Sequence, residues 1–143
     1  MTSPHPYIPL GGPPQDIRLS PEIYAKMGEE NIFKMLEDFY AELEKSSIRS
    51  LFPEDMLEAS KKSAAFFVFL LGGPPLYHQL YGPPMMRKRH LPFAIDENAR
   101  QVWLECFRKI LYKSEEKYHF PPEHLESFLH FLDKFSGWMV NTK

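Results

Sequence analysis

The apolar positions of this chain fall on helical stripes. Ile32, Met35, Leu36, Phe39, Tyr40 and Leu43 recur at spacings of three and four, which places them on one helix face. Upstream, Ser20-Pro21-Glu22 offers an N-cap, a proline at the first helical position and an acid, so a short helix opens there and ends near Gly28. A turn over 48–52 stops at Pro53. Residues 54–71 predict a further helix, polar at first and then apolar on every side, the pattern of an element buried among others. Gly72-Gly73-Pro74-Pro75 ends it, residues 72–84 are mostly irregular, and a short helical piece spans 84–91. Asp96 then caps a long helix that buries Val102, Trp103, Cys106, Phe107, Ile110 and Leu111. The last helix starts at Pro121-Pro122-Glu123, with a stripe of Leu125, Phe128, Leu129, Leu132, Phe135 and Met139. No segment alternates as a strand would, and no internal repeat is present. The class is all-α, with helices too short and loops too uneven for a simple four-helix bundle.

With 143 residues, one domain is expected, large enough to bury a core without disulfides. Prolines at 4, 6, 9, 13 and 14 and Gly11-Gly12 mark residues 1–19 as an extended or disordered leader, leaving 20–143 as the domain. The net charge of −2 gives no global pull toward nucleic acid or membrane. Cys106 has no cysteine partner in the chain, which fits a reducing compartment. The N-terminus lacks a signal-peptide pattern, and the longest apolar run, 64–71, is far short of the ~20 residues that span a bilayer. A cytoplasmic protein is the expectation. Aromatic residues make up 15%, with 12 Phe, so the rings either line a pocket for a large flat ligand or build a ring-rich core.

Few residues carry obvious chemistry. His5, His78, His119, His124 and His130 are scattered, and none pairs at zinc spacing. No phosphate-binding, dinucleotide-binding or nucleophile-elbow motif occurs. Cys106 sits in an apolar stripe as an inert thiol. His90 stands out in Arg87-Lys88-Arg89-His90-Leu91-Pro92-Phe93, at a border between basic and apolar residues. Three readings are open: a surface histidine, part of an anion-binding patch, or an axial metal ligand. A haem makes this kind of demand: an imidazole for iron, a cation for the propionates and apolar walls.

The chain resembles a group II truncated haemoglobin. The resemblance rests on Phe39-Tyr40, Phe52-Pro53-Glu54-Asp55, Gly72-Gly73-Pro74-Pro75-Leu76-Tyr77, Arg87 to Phe93, and Trp103, in order over about 20–140. It implies a compact globin fold, a two-on-two helical sandwich around haem b. By resemblance, His90 is the proximal iron ligand, Arg89 meets a haem propionate, and Tyr77 helps at that edge. Phe52 packs on the porphyrin face, and Phe66, Met86, Phe93, Ile95 and Trp103 complete the cofactor walls. Tyr40 and Trp103 are the distal donors, with Ala59 and Ser63 at the distal helix positions facing iron. Two departures from the family pattern stand out. Ala59 leaves no distal histidine or glutamine gate, and Pro83 stands where the family often has histidine, which implies a stiffer loop.

The implied function is reversible binding of dioxygen and other diatomic gases, including nitric oxide and carbon monoxide. A buried donor stabilises partial negative charge on such a ligand: Tyr40 and Ser63 can donate or accept, and Trp103 only donates. A redox enzyme is the alternative, oxidising nitric oxide or turning over peroxide. With no flavin or nicotinamide motif in the chain, that enzyme needs a separate reductase. A haem-free helical scaffold with an anion patch at Arg87 to Arg89 is the remote alternative.

Overall fold

The computed structural model describes residues 8–9 and 19–143, so the expected leader lies almost wholly outside the described residues. The helices are α1 (Glu22–Glu44), α2 (Met56–Leu70), α3 (Leu76–Tyr81), α4 (Met86–His90), α5 (Glu97–Leu111), α6 (Ser114–Tyr118) and α7 (Leu125–Met139). Single 3-10 turns at Arg49–Leu51 and Pro122–His124 lead into α2 and α7, and no strand occurs among the described residues. α1 packs along α2, α5 along α7, and α1 meets α5 between the two pairs. This is the two-on-two arrangement.

The expected boundary at Gly28 appears as a kink inside α1, where Gly28 takes φ 78° and ψ 162°. Ser20 accepts from the Glu22 N–H at 3.2 Å, as its N-cap pattern predicts. Asp55 and Asp96 cap α2 and α5 by accepting from Glu58 N and Ala99 N at 3.0 and 2.8 Å. α3 and α6 arise where no helix was expected. α3 follows Pro74-Pro75, and α6 starts after left-handed Lys113 (φ 56°).

Most of the phenylalanines serve the core. Phe39, Phe107, Phe120 and Phe128 are fully buried, and Phe107 lies 4.1 Å from Phe39, 5.7 Å from Phe67 and 5.7 Å from Phe128 between ring centroids. This ring knot locks the two helix pairs together, because each ring belongs to a different long helix.

Gly72-Gly73 does more than stop α2. A Cβ on Gly72, whose φ is 107°, would sit 2.3 Å from the Pro21 Cα, and one on Gly73 would sit 2.6 Å from the Tyr24 ring. The end of α2 thus lies directly on the start of α1, joined by a bond from Tyr24 N to Leu71 O at 3.0 Å. Gly72→Ala is expected to lower unfolding stability by about 2–4 kcal/mol, from strain plus backbone clash. Gly28→Ala, with the same sign of φ but open space around it, should lose only about 1–2 kcal/mol. Denaturant midpoints at constant slope check both, and equal costs would contradict the close approach.

α6 is tied to α1 by Tyr118, 1% exposed, whose hydroxyl donates to Asp38 Oδ2 at 2.6 Å. Burial first, and then the Asp38 bond and charge, push the Tyr118 pKa far above its usual 10.0. The unfolded chain ionises this phenol near 10, so the bond's stabilisation is complete below that pH and is lost as pH climbs through the raised folded value. Tyr118→Phe should therefore be about 1–2 kcal/mol less stable at neutral pH and lose less stability on going alkaline. Unfolding curves between neutral and alkaline pH measure this; parallel losses in both proteins would contradict it.

Candidate functional site

The residues singled out by the sequence fall into two groups, one on and around α4 and the other on α1, α2, α5 and the turn before α2. α4 follows Pro83-Pro84 and begins after Met85, held at φ 39° and ψ 53°. His90 ends it. Its Nδ1 lies 2.6 Å from the Met86 carbonyl oxygen, and since a carbonyl only accepts, Nδ1 carries the proton. Burial, the larger influence, lowers the pKa of His90, and the Met86 bond partly opposes it. The imidazole is therefore neutral at pH 7, with its lone pair on Nε2. That is the tautomer a metal ligand requires.

The arginines flanking it are held by backbone. Arg89 donates from Nε to Pro84 O at 2.7 Å and from Nη2 to Pro83 O at 2.9 Å and Tyr81 O at 3.3 Å. Its guanidinium also lies over the Tyr77 ring at 5.5 Å. Arg89 thus knits the 81–84 loop to the end of α4; Nη1 takes no part in these bonds. Arg87 Nη1 donates to Val140 O at 2.8 Å, and its guanidinium covers the Trp138 ring at 4.6 Å. A guanidinium so engaged is a brace for backbone first, which does not favour an open anion patch.

Tyr77 is 5% exposed and packs on Phe66 at 6.0 Å and Tyr81 at 5.0 Å between centroids. Phe66 and Met86 also border an open apolar cavity of about 260 Å³, together with Leu70, Phe131, Phe135 and Met139. Phe135 and Met139 thus turn one edge of the α7 stripe toward this cavity. Phe93 is 42% exposed, while Ile95 is half-buried beside it.

In the second group, Phe52 ends the 3-10 turn and is presented by Arg49, which donates to the carbonyls of Phe52, Pro53 and Glu54 at 3.1–3.3 Å. Tyr40 meets Phe52 edge-on at 5.8 Å. Phe39 stands between Tyr40 at 5.5 Å and Trp103 at 5.3 Å, both edge-on. Ala59, Ser63 and Phe66 share one face of α2 at helical spacing; Ala59 and Ser63 are half-buried and Phe66 is buried. Burial raises the Tyr40 pKa, and a hydrogen bond with Ser63 opposes that rise. The phenol is thus protonated, with the Ser63 hydroxyl of α2 close enough to act on it.

The chain matches the family model for bacterial-like globins over residues 22–141. It is 37% identical over 86 residues to the group 2 truncated hemoglobin YjbI of Bacillus subtilis, covering 59% of this chain and 65% of that protein. It is 32% identical over 93 residues to two-on-two hemoglobin-3 of Arabidopsis thaliana, covering 62% of this chain and 53% of that protein. The matches therefore span about half to two-thirds of the curated relatives' length. Among solved structures, phosphate-bound Hell's gate globin IV superposes with a TM-score of 0.80 at 39% identity, over 90% of this chain and 79% of that one. The group II truncated hemoglobin of Bacillus anthracis superposes at 0.75 with 30% identity, over 83% and 90%. With the family match covering nearly the whole folded region and the helix pairs arranged two on two, the chain belongs to the bacterial-like globins, in their group II truncated haemoglobin branch.

Proposed function

We propose that this protein binds haem b through His90 and uses it to bind dioxygen and related diatomic gases. The observation that carries this reading is the His90 tautomer: Nδ1 is committed to the Met86 carbonyl and Nε2 is left as a donor for iron. The surroundings fit the same group. Phe66 and Met86 offer an apolar cavity, Phe52 an aromatic face, and Phe93, Ile95 and Tyr77 further walls. Arg89, stacked on Tyr77, is the cation for a propionate, using the nitrogen that the loop carbonyls leave out.

When bound, haem supplies an iron that coordinates a diatomic ligand and leaves partial negative charge on its outer atom. The chain's own residues act on that charge. Tyr40 keeps its proton because burial raises its pKa, so it is a donor across the neutral range. Ser63 holds the Tyr40 hydroxyl, and Trp103, across Phe39, presents an indole that can only donate. Ala59 adds no polar group at the distal face, so ligand access there is not gated by a hydrogen bond.

The purified protein reconstituted with haem is expected to show a Soret band of a histidine-ligated iron that is lost in His90→Ala. No band in the wild type after haem addition would overturn the proposal. In Tyr40→Phe and Trp103→Phe the dioxygen off-rate is expected to rise about five- to hundredfold, the equivalent of ~1–3 kcal/mol for one charge-assisted bond. Stopped-flow release measures this, and unchanged rates in both variants and in the double would remove the distal network. Slow release in the wild type would favour redox chemistry with an external reductant over bulk gas delivery.

A further inference from the structure

We infer that Asn141 is a positioning residue for His90, fixing the backbone that carries the imidazole; the inference rests on reading His90 as the iron ligand. α4 has five residues, buries none of them and lacks a side-chain cap. A helix this short has no stability of its own, so tertiary bonds must set its place. They come from the end of α7. Arg87 reaches the Val140 carbonyl and stacks on Trp138. Asn141, only 6% exposed, takes the other side of His90.

The Asn141 amide serves three backbone groups at once. Nδ2 donates to His90 O at 3.2 Å and to Phe93 O at 2.9 Å, while Oδ1 accepts from Ile95 N at 2.9 Å. The partner set fixes the amide's orientation, since two carbonyls must face nitrogen and one N–H must face oxygen. The main-chain N–H groups of Asn141 and Thr142 both donate to Ile95 O, at 3.0 and 3.1 Å. His90 is therefore gripped twice: its ring by Met86, four residues before, and its own carbonyl by Asn141. A ring bonded at Nδ1, on a backbone itself bonded at the carbonyl, has a narrow range of tilt, which is how supporting bonds set a ligand's geometry at a metal.

The test uses the full chain reconstituted with haem, as wild type, Asn141→Ala, Asn141→Asp and Tyr118→Phe. Two readouts apply: the iron–imidazole stretching band of the ferrous protein by resonance Raman, and hydrogen exchange of the 93–95 amides. In both Asn141 variants the band is expected to shift or broaden while histidine ligation persists. Exchange at Ile95 should quicken about tenfold in Asn141→Ala, the loss of one hydrogen bond, and less in Asn141→Asp, whose carboxylate still accepts. Tyr118→Phe, remote from α4, should leave the band unchanged.

An unchanged band in both Asn141 variants, or an equal shift in Tyr118→Phe, would make Asn141 merely structural and overturn the inference. Failure of both Asn141 variants to fold would do the same. A wild type with no iron–imidazole band would instead overturn the reading of His90 itself.

Discussion

The proposed haem site depends on a hydrogen bond of 2.6 Å from His90 Nδ1 to the Met86 carbonyl. Without it the imidazole could turn either nitrogen outward. With it, and with burial holding the ring neutral, one lone pair is left at one defined atom. Everything that positions α4 therefore acts on the chemistry. Arg89 ties the end of α4 to the proline loop before it, and Arg87 and Asn141 tie it to the end of α7. Three backbone-directed side chains stabilise a five-residue helix that local propensity alone would not.

The aromatic group of α1 and α5 depends on a different kind of constraint. Tyr40 and Trp103 are placed by packing, through Phe39 between them and the ring knot around Phe107. Close-packed rings leave little room to adjust, so the core itself holds both side chains in place. The approach of α2 to α1 at Gly72-Gly73 is a second close contact between the helices that carry Ser63 and Tyr40.

Much of this was legible in the sequence, and the reasons differ by element. α2 and α5 declare themselves through aspartate caps, and α1 through its stripe and the break at Gly28, because caps and periodicity are local physics. α3 and α6 were missed because six and five residues are too few to show a period. Tyr40 and Ser63 were each expected at the distal side only through family resemblance; the influence of the Ser63 hydroxyl on the Tyr40 phenol was not foreseen. Two features were not legible at all. The binding of Arg89 to the loop carbonyls depends on backbone direction, which composition does not encode. Asn141 lies 51 residues from His90, in a polar stretch after the last stripe, and nothing local marks it as a clamp.

The most direct test of the account is proton NMR of the ferrous, haem-loaded protein with selectively labelled histidine. The account predicts one exchangeable, strongly hyperfine-shifted resonance, assigned to His90 Nδ1–H and absent in His90→Ala, with slow solvent exchange because the Met86 carbonyl holds that proton. A shifted resonance that survives in His90→Ala, or one from another histidine, would contradict it.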